Sequence, residues 1–321
     1  TMDVASPYRD YYMAQVEELL DNYEMDGLWA VICCVLPNYS PWSQQRMGDA
    51  CVPLEEDRAV LAYADERMRE FMDDVTSLLH CRKPDASIYY NGTTTPNLGT
   101  RVPSMTHIEF VSLPTSEGVW GYLHYPIMAR QARTYGVDVI GMTGRFHKSW
   151  ADFGGLKTTD QLDYECGVIL SGGGMICVGD QLHPNGVLDP AVYRLLQRSF
   201  SRVEALEPWL HESKPTAEVA LLAWGIGGES EPGVGAHSPD TEGAAQMLLE
   251  LGIQFDIVDA NATIDAYEAL FLPDSVRLSA DEVAKLAAYL EQGGRLVLSG
   301  TAALDEDGQF QLDAVPVEYV E

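Results

Sequence analysis

The run GMTGRFHKSWADFGG, residues 141–155, gathers Arg145, His147, Lys148, Trp150 and Asp152 on one predicted loop. Arginine, histidine and aspartate can hold vicinal hydroxyls through forked hydrogen bonds, and tryptophan can stack on the apolar face of a sugar. Glycines at 141, 144, 154 and 155 imply tight backbone geometry, which an ordinary surface loop does not need. A second group lies in THIEFVSLP, residues 106–114. Strand alternation puts His107, Glu109 and Val111 on one side, with Ile108 and Phe110 on the other. Inside a barrel, a glutamate must be solvated, paired or used, because a bare buried carboxylate is costly. Glu109 is therefore either an acid/base group or the partner of an arginine such as Arg145. A third group is CVGDQLHP, residues 177–184, where Asp180, Gln181 and His183 follow a glycine-rich apolar strand. That position suits a binding rim, or an Asp180 that caps the next helix or orients a neighbour.

Other chemistries lack their signatures. No HxH, HExxH or CxxC spacing occurs, so neither a metal site nor a cofactor is expected. GxSxG, GxGxxG and the P-loop are absent as well. LSGGGM, residues 170–175, precedes its strand, the wrong side for cradling phosphate. The six cysteines read as free thiols in a reducing, cytoplasmic setting. A net charge of −29 with lysine only at 83, 148, 157, 214 and 285 argues against nucleic acid and anionic membranes as partners. No apolar run approaches the roughly 18 residues of a membrane span, and no leader segment is visible.

The elements that must position these groups follow from periodicity. Residues 8–24 carry a helical stripe of Tyr12, Val16, Leu19, Leu20 and Tyr23. MDGLWAVICC, residues 25–34, has a turn and then an apolar run, the pattern of a strand buried on both faces. Helices are predicted near 55–80, 121–135, 158–170 and 189–206, and strands near 86–92, 106–114, 137–147 and 172–183. Strand and helix alternate, with polar residues gathering after the strands. Residues 1–210 thus read as the later part of a (β/α)₈ barrel whose first strands lie before Thr1, or as a smaller open α/β sheet. After a Pro208–Pro215 linker the pattern restarts. Residues 215–321 read as a flavodoxin-like α/β domain, with Ser279, Glu282 and Gly293 marking the ends of an amphipathic helix. In LSGTAAL, residues 298–304, Ser299, Gly300 and Thr301 stand where an amidotransferase of that fold has its cysteine, so this domain reads as non-catalytic.

SPYRDYYMAQVEELLDNYEMDGLW, YYNG, THIEF, WGYLHYPIMAR, GMTGRFHKSWADFGG and VGDQLHP together resemble the α-L-fucosidase-like glycoside hydrolases that carry a β-galactosidase-type trimerisation domain. The resemblance implies a TIM-type barrel, a retaining exo-acting enzyme on terminal L-fucose or a related sugar, and a homo-oligomer, possibly a trimer. It implies Glu109 as acid/base, with His107, Arg145, His147, Trp150, Asp152, Asp180 and His183 around the carbohydrate substrate. In that family Asp-Gly is followed by two aromatics and then the aspartate nucleophile. Here Asp26-Gly27 and Trp29 fit, Ala30 replaces an aromatic, and Val31 stands at the nucleophile position. Val111 likewise replaces a glutamate common in relatives. A valine has no lone pair to attack C1, so the alternative is a carbohydrate-binding or scaffolding homologue impaired in turnover.

Overall fold

In the chain's first helix, α1 (Tyr8–Asn22), Val16 and Leu20 are buried, as the apolar stripe requires. The computed structural model describes residues 3–30, 33, 35–90, 107–111 (backbone), 122–136, 138–147, 152–181, 183–223, 238–274 and 276–313. The chain forms two compact units, Thr1–Glu109 and a larger one holding Phe110–Ser230 and Ala236–Glu321.

In the first unit, β1 (Gly27–Ala30) pairs in parallel with β2 (Ser87–Tyr90). The apolar run predicts burial on both faces, yet Trp29 is 41% exposed while Ala30 is buried. Among the described residues β1 has a single neighbouring strand, and the Trp29 ring meets Tyr89 edge-on, their centroids 4.6 Å apart. Val31, Ile32 and Cys34 lie outside the described residues. Between the strands run α2 (Pro41–Asp49) and α3 (Asp57–Arg82). Ser40 caps α2, accepting from Ser43 N, and Pro41 occupies its first turn.

Two further sheets follow. One has the order β3-β4-β5, with β3 (His107–Val111), β4 (Asp138–Gly144) and β5 (Met175–Gly179), the last two pairing in parallel. Its helices are α4 (His124–Ala132), α5 (Thr159–Ser171) and α6 (Pro190–Leu210). Tyr125 of α4 is fully buried, and its hydroxyl donates to Ile169 O at 3.1 Å. A Cβ on Gly141 would sit 2.7 Å from the Tyr125 ring, so this strand position needs glycine. Helix α6 runs through Pro208, where a linker is expected from sequence. Pro208 falls in an exposed last turn, where water can satisfy the carbonyl that a proline leaves unbonded.

The other sheet has the order β7-β6-β8-β9, built from β6 (Val219–Leu222), β7 (Phe255–Val258), β8 (Ala269–Leu272) and β9 (Arg295–Leu298). Period-2 alternation divides its core. Leu221 and Phe271 face α7 (Pro239–Glu250), whereas Ala220, Leu222, Leu270 and Leu272 pack with Leu286 and Tyr289 of α8 (Ala280–Glu291). Ser279 and Glu282 form the reciprocal cap that the sequence predicts for α8. Ile127 of α4 joins the α7 side of this core. Beside it, Arg133 donates to Asp256 Oδ1 at 2.6 Å and to Phe255 O at 2.8 Å, and Tyr267 also donates to Asp256. Arg130 lies over the Phe255 ring, and burial lowers its pKa to about 10.

No helix among the described residues is long and apolar enough to cross a membrane. The described cysteines form no disulfide, with Cys51 and Cys81 exposed and Cys33 and Cys166 buried. Burial pushes the Cys166 thiol up to about 11. A thiol reagent at neutral pH should therefore label Cys51 and Cys81 and spare Cys33 and Cys166 until the chain unfolds, as mass spectrometry of the labelled peptides would show.

Candidate functional site at the ends of β4 and β5

The ladder between β4 and β5 ends in register at Gly144 and Gly179, and Arg145 N donates to Gly179 O at 2.9 Å, holding the two strand ends together. The Arg145 side chain, only 4% exposed, ties the segments that follow the two strands together. Its Nε donates to Asp180 Oδ1 at 2.7 Å, and one terminal nitrogen donates to Phe153 O at 3.0 Å and Gly155 O at 2.7 Å. The guanidinium fork thus clamps the 152–155 segment onto the end of β5. Gln181 N also donates to Asp180 Oδ1, so this carboxylate orients its neighbours.

The clamp places a ring pair on the surface. Phe153 and His183 stack with centroids 5.6 Å apart and planes 24° from parallel, both exposed. Asp152 precedes Phe153 and is partly buried. A Cβ on Gly155 would collide with its carboxylate, so glycine lets the chain fold back there. His147 is exposed near the start of the same loop. Carboxylates, two imidazoles and an aromatic face are the groups that hold a hydroxylated ring.

Beneath the loop is a buried polar cluster that the sequence does not announce. Lys157 Nζ donates to Glu165 Oε2 at 2.7 Å and to Thr143 Oγ1 at 2.8 Å, and Thr143 donates to Glu165 Oε2 at 2.6 Å. All three are at most 1% exposed, and Glu165 Oε1 has no hydrogen-bond partner among the described residues. Desolvation lowers the Lys157 pKa, with Glu165 opposing it. Lys157 N donates to Arg145 O at 2.8 Å, so the cluster anchors the far end of the loop that Arg145 begins.

Arg145, Asp152, Asp180 and His183, predicted from sequence, therefore meet at the carboxyl ends of β4 and β5. Arg145 serves there as a positioning residue with most of its fork turned inward. Phe153 was missed, although it stands in the same ADFGG run. His107 and Glu109 are strand residues of β3, but their side chains, like Trp150 and Lys148, lie outside the described residues. No group of three His, Cys, Asp or Glu among the described residues could hold a metal ion. Arg145→Lys should cost about 2 kcal/mol, because an ammonium cannot span one carboxylate and two carbonyls. Urea denaturation would measure this loss, and faster proteolysis at Phe153 would show the loop released.

Residues 246–319 match the family described as the Beta-galactosidase trimerisation domain. Over 98% of its length the chain superposes on α-L-fucosidase isoenzyme 2 from Paenibacillus thiaminolyticus, with 32% identity and a TM-score of 0.90. The chain is α-L-fucosidase-like. It spans 47% of that fucosidase, about half its length. The β-galactosidase of Marinomonas ef1 matches 96% of the fucosidase-like chain and 61% of its own length, at 13% identity and TM-score 0.60. The enzyme of Bacillus circulans sp. alkalophilus matches 92% and 55%, at 12% identity and TM-score 0.66. At such identities the likeness is one of fold, and these neighbours are TIM-barrel glycoside hydrolases. No curated protein matches the fucosidase-like chain.

Proposed function

We propose that the chain is the later part of a retaining glycoside hydrolase that removes terminal L-fucose or a related sugar from glycans. The observation that carries this reading is the 32% identity to the Paenibacillus fucosidase over 98% of the chain. The ring pair and carboxylates after β4 and β5 support it, since parallel α/β folds place their sites at strand carboxyl ends. On this reading residues 1–210 are barrel strands and helices. Glu109 is the acid/base, and His107, His147, Trp150, Asp152 and His183 line the sugar site with Arg145 and Asp180 behind them.

Residues 215–321 are flavodoxin-like on the same reading, because their parallel order, second-first-third-fourth, is the start of the doubly wound 2-1-3-4-5 arrangement. They assemble copies of the chain into a trimer. The free thiols suit a cytoplasmic protein.

A second reading rests on Val31, which cannot act as a nucleophile. There the chain keeps its sugar rim and has lost turnover. Release of 4-nitrophenol from an aryl α-L-fucoside separates the two. Turnover by the unaltered chain supports the hydrolase. Silence toward aryl glycosides, with L-fucose still bound in calorimetry, supports the second reading.

A further inference from the structure

No residue of helix α4 is exposed, and Tyr125, Ile127, Met128, Ala129, Gln131 and Ala132 are all buried. A helix on the outside of a sheet keeps a polar face toward water, as α7 does with Glu242, Gln246 and Glu250. A helix without such a face is packed from both sides. The partners of α4 on its two sides are different, and both lie in the larger compact unit.

On one side stands Tyr125, whose ring lies in a slot lined by glycines. A Cβ built on Gly141 of β4 would come 2.7 Å from the ring, and one on Gly172 would come 3.0 Å from it. A Cβ on Gly174 would collide with the Tyr125 hydroxyl. That hydroxyl donates to Ile169 O of α5 at 3.1 Å. Ala129, one turn on, stands 3.3 Å from the same Cβ position of Gly172. The helix is thus keyed to β4 and to the turn that leads into β5.

The other side faces the sheet of β6 to β9. Two residues along a helix turn the side chain by about 200°, so Ile127 points away from Tyr125. It packs in one core with Leu221, Leu248, Phe255 and Phe271. Arg130, three residues on, lies over the Phe255 ring, 4.7 Å from its centre. Arg133 follows the last residue of the helix. It donates to Asp256 Oδ1 at 2.6 Å and to Phe255 O at 2.8 Å, while Tyr267 donates to Asp256 Oδ2 at 2.9 Å. Asp256 is only 8% exposed, so its carboxylate depends on the guanidinium. Domains joined by a small polar surface move against one another, but here a single helix belongs to both cores.

We propose that α4 is a coupling element, through which the sheet of β6 to β9 and the β4–β5 strand pair open as one cooperative unit. The strand pair ends in the candidate sugar site, and β7, β8 and β9 lie within the residues that match the trimerisation family. On the trimer reading above, a copy seated on that sheet therefore steadies the loop that Arg145 clamps. The coupling itself does not depend on that reading.

Hydrogen exchange of the whole chain, followed by mass spectrometry of its peptides, is the test. Arg133→Met should speed exchange in β7 and in β4 by the same factor, about tenfold or more, because it strands the Asp256 carboxylate. Arg133→Lys, which can reach Asp256 but not Phe255 O as well, should fall between that variant and the parent. Coupling is reciprocal. Gly141→Ala, whose Cβ meets the Tyr125 ring, should therefore speed β7 as well as β4. If that variant does not fold, Tyr125→Phe takes its place, with a smaller shift expected in both strands. Helix α3, in the other compact unit, should keep its protection throughout. Faster exchange confined to β7 in Arg133→Met, or confined to β4 in the variants at Gly141 and Tyr125, would overturn the proposal. An equal loss in α3 would overturn it too, since the opening would then be that of the whole chain.

Discussion

Replacing Lys157 with methionine should lower the melting temperature of the chain by roughly 10 °C. The substitution removes the ammonium from Glu165 and Thr143 and strands a carboxylate that is 1% exposed. Breaking one side of a buried ion pair costs about 3–5 kcal/mol. For a unit of this size each kcal/mol moves the midpoint by about 2–4 °C. The companion variant Lys157→Met/Glu165→Leu should recover most of that loss, since a buried pair is often replaceable by apolar groups of similar volume. A single variant no less stable than its parent would show that Glu165 is not held by Lys157. The pH dependence has a definite sign. Burial lowers the Lys157 pKa from its ordinary 10.5. Between the lowered value and 10.5 the unfolded chain binds more protons than the folded one, so this group's contribution to stability rises with pH across that window. The double variant should lack this component.

Most of the frame is legible in the sequence because it is local. The Ser279 cap, Gly252 and Gly293 at positive φ, and the apolar runs of β6, β7 and β8 each depend on neighbours within a few residues. Helix α2 was equally local, since Ser40-Pro41 is a start signal, and was hidden only by its weak apolar stripe. The candidate site is legible as a set of residues but not as a set of roles. Arg145 reads as a sugar ligand from its company, yet its orientation is fixed by Asp180, 35 residues away, and by loop carbonyls that composition cannot reveal. Lys157 and Glu165 sit eight residues apart, with the start of α5 between them. Only the fold brings Thr143 of β4 between their side chains. The reverse holds for Trp29, whose apolar run promised two covered faces and which is partly open, with one strand neighbour among the described residues.

On the proposed hydrolase reading, Glu109→Gln should reduce release of 4-nitrophenol from an aryl α-L-fucoside by about 10²–10⁴-fold, the usual contribution of a positioned acid/base. A glutamine keeps the shape of the residue and loses its transferable proton. The loss should grade with the leaving group. A dinitrophenyl fucoside departs without protonation, so formation of the glycosyl intermediate should be nearly spared, while an unactivated glycan should be cut slowest. Azide, which needs no base to attack the intermediate, should restore turnover of the activated substrate and release a fucosyl azide. A structural role for Glu109 would lower all substrates alike and show no rescue by azide. The same assay addresses Val31. If the parent chain is silent, Val31→Asp supplies a carboxylate at the position that the family resemblance assigns to the nucleophile. Retaining chemistry needs that group about 5–5.5 Å from the acid/base. Turnover gained on Val31→Asp and lost again on adding Glu109→Gln would place both residues in one reaction and show that a single substitution separates this chain from catalysis.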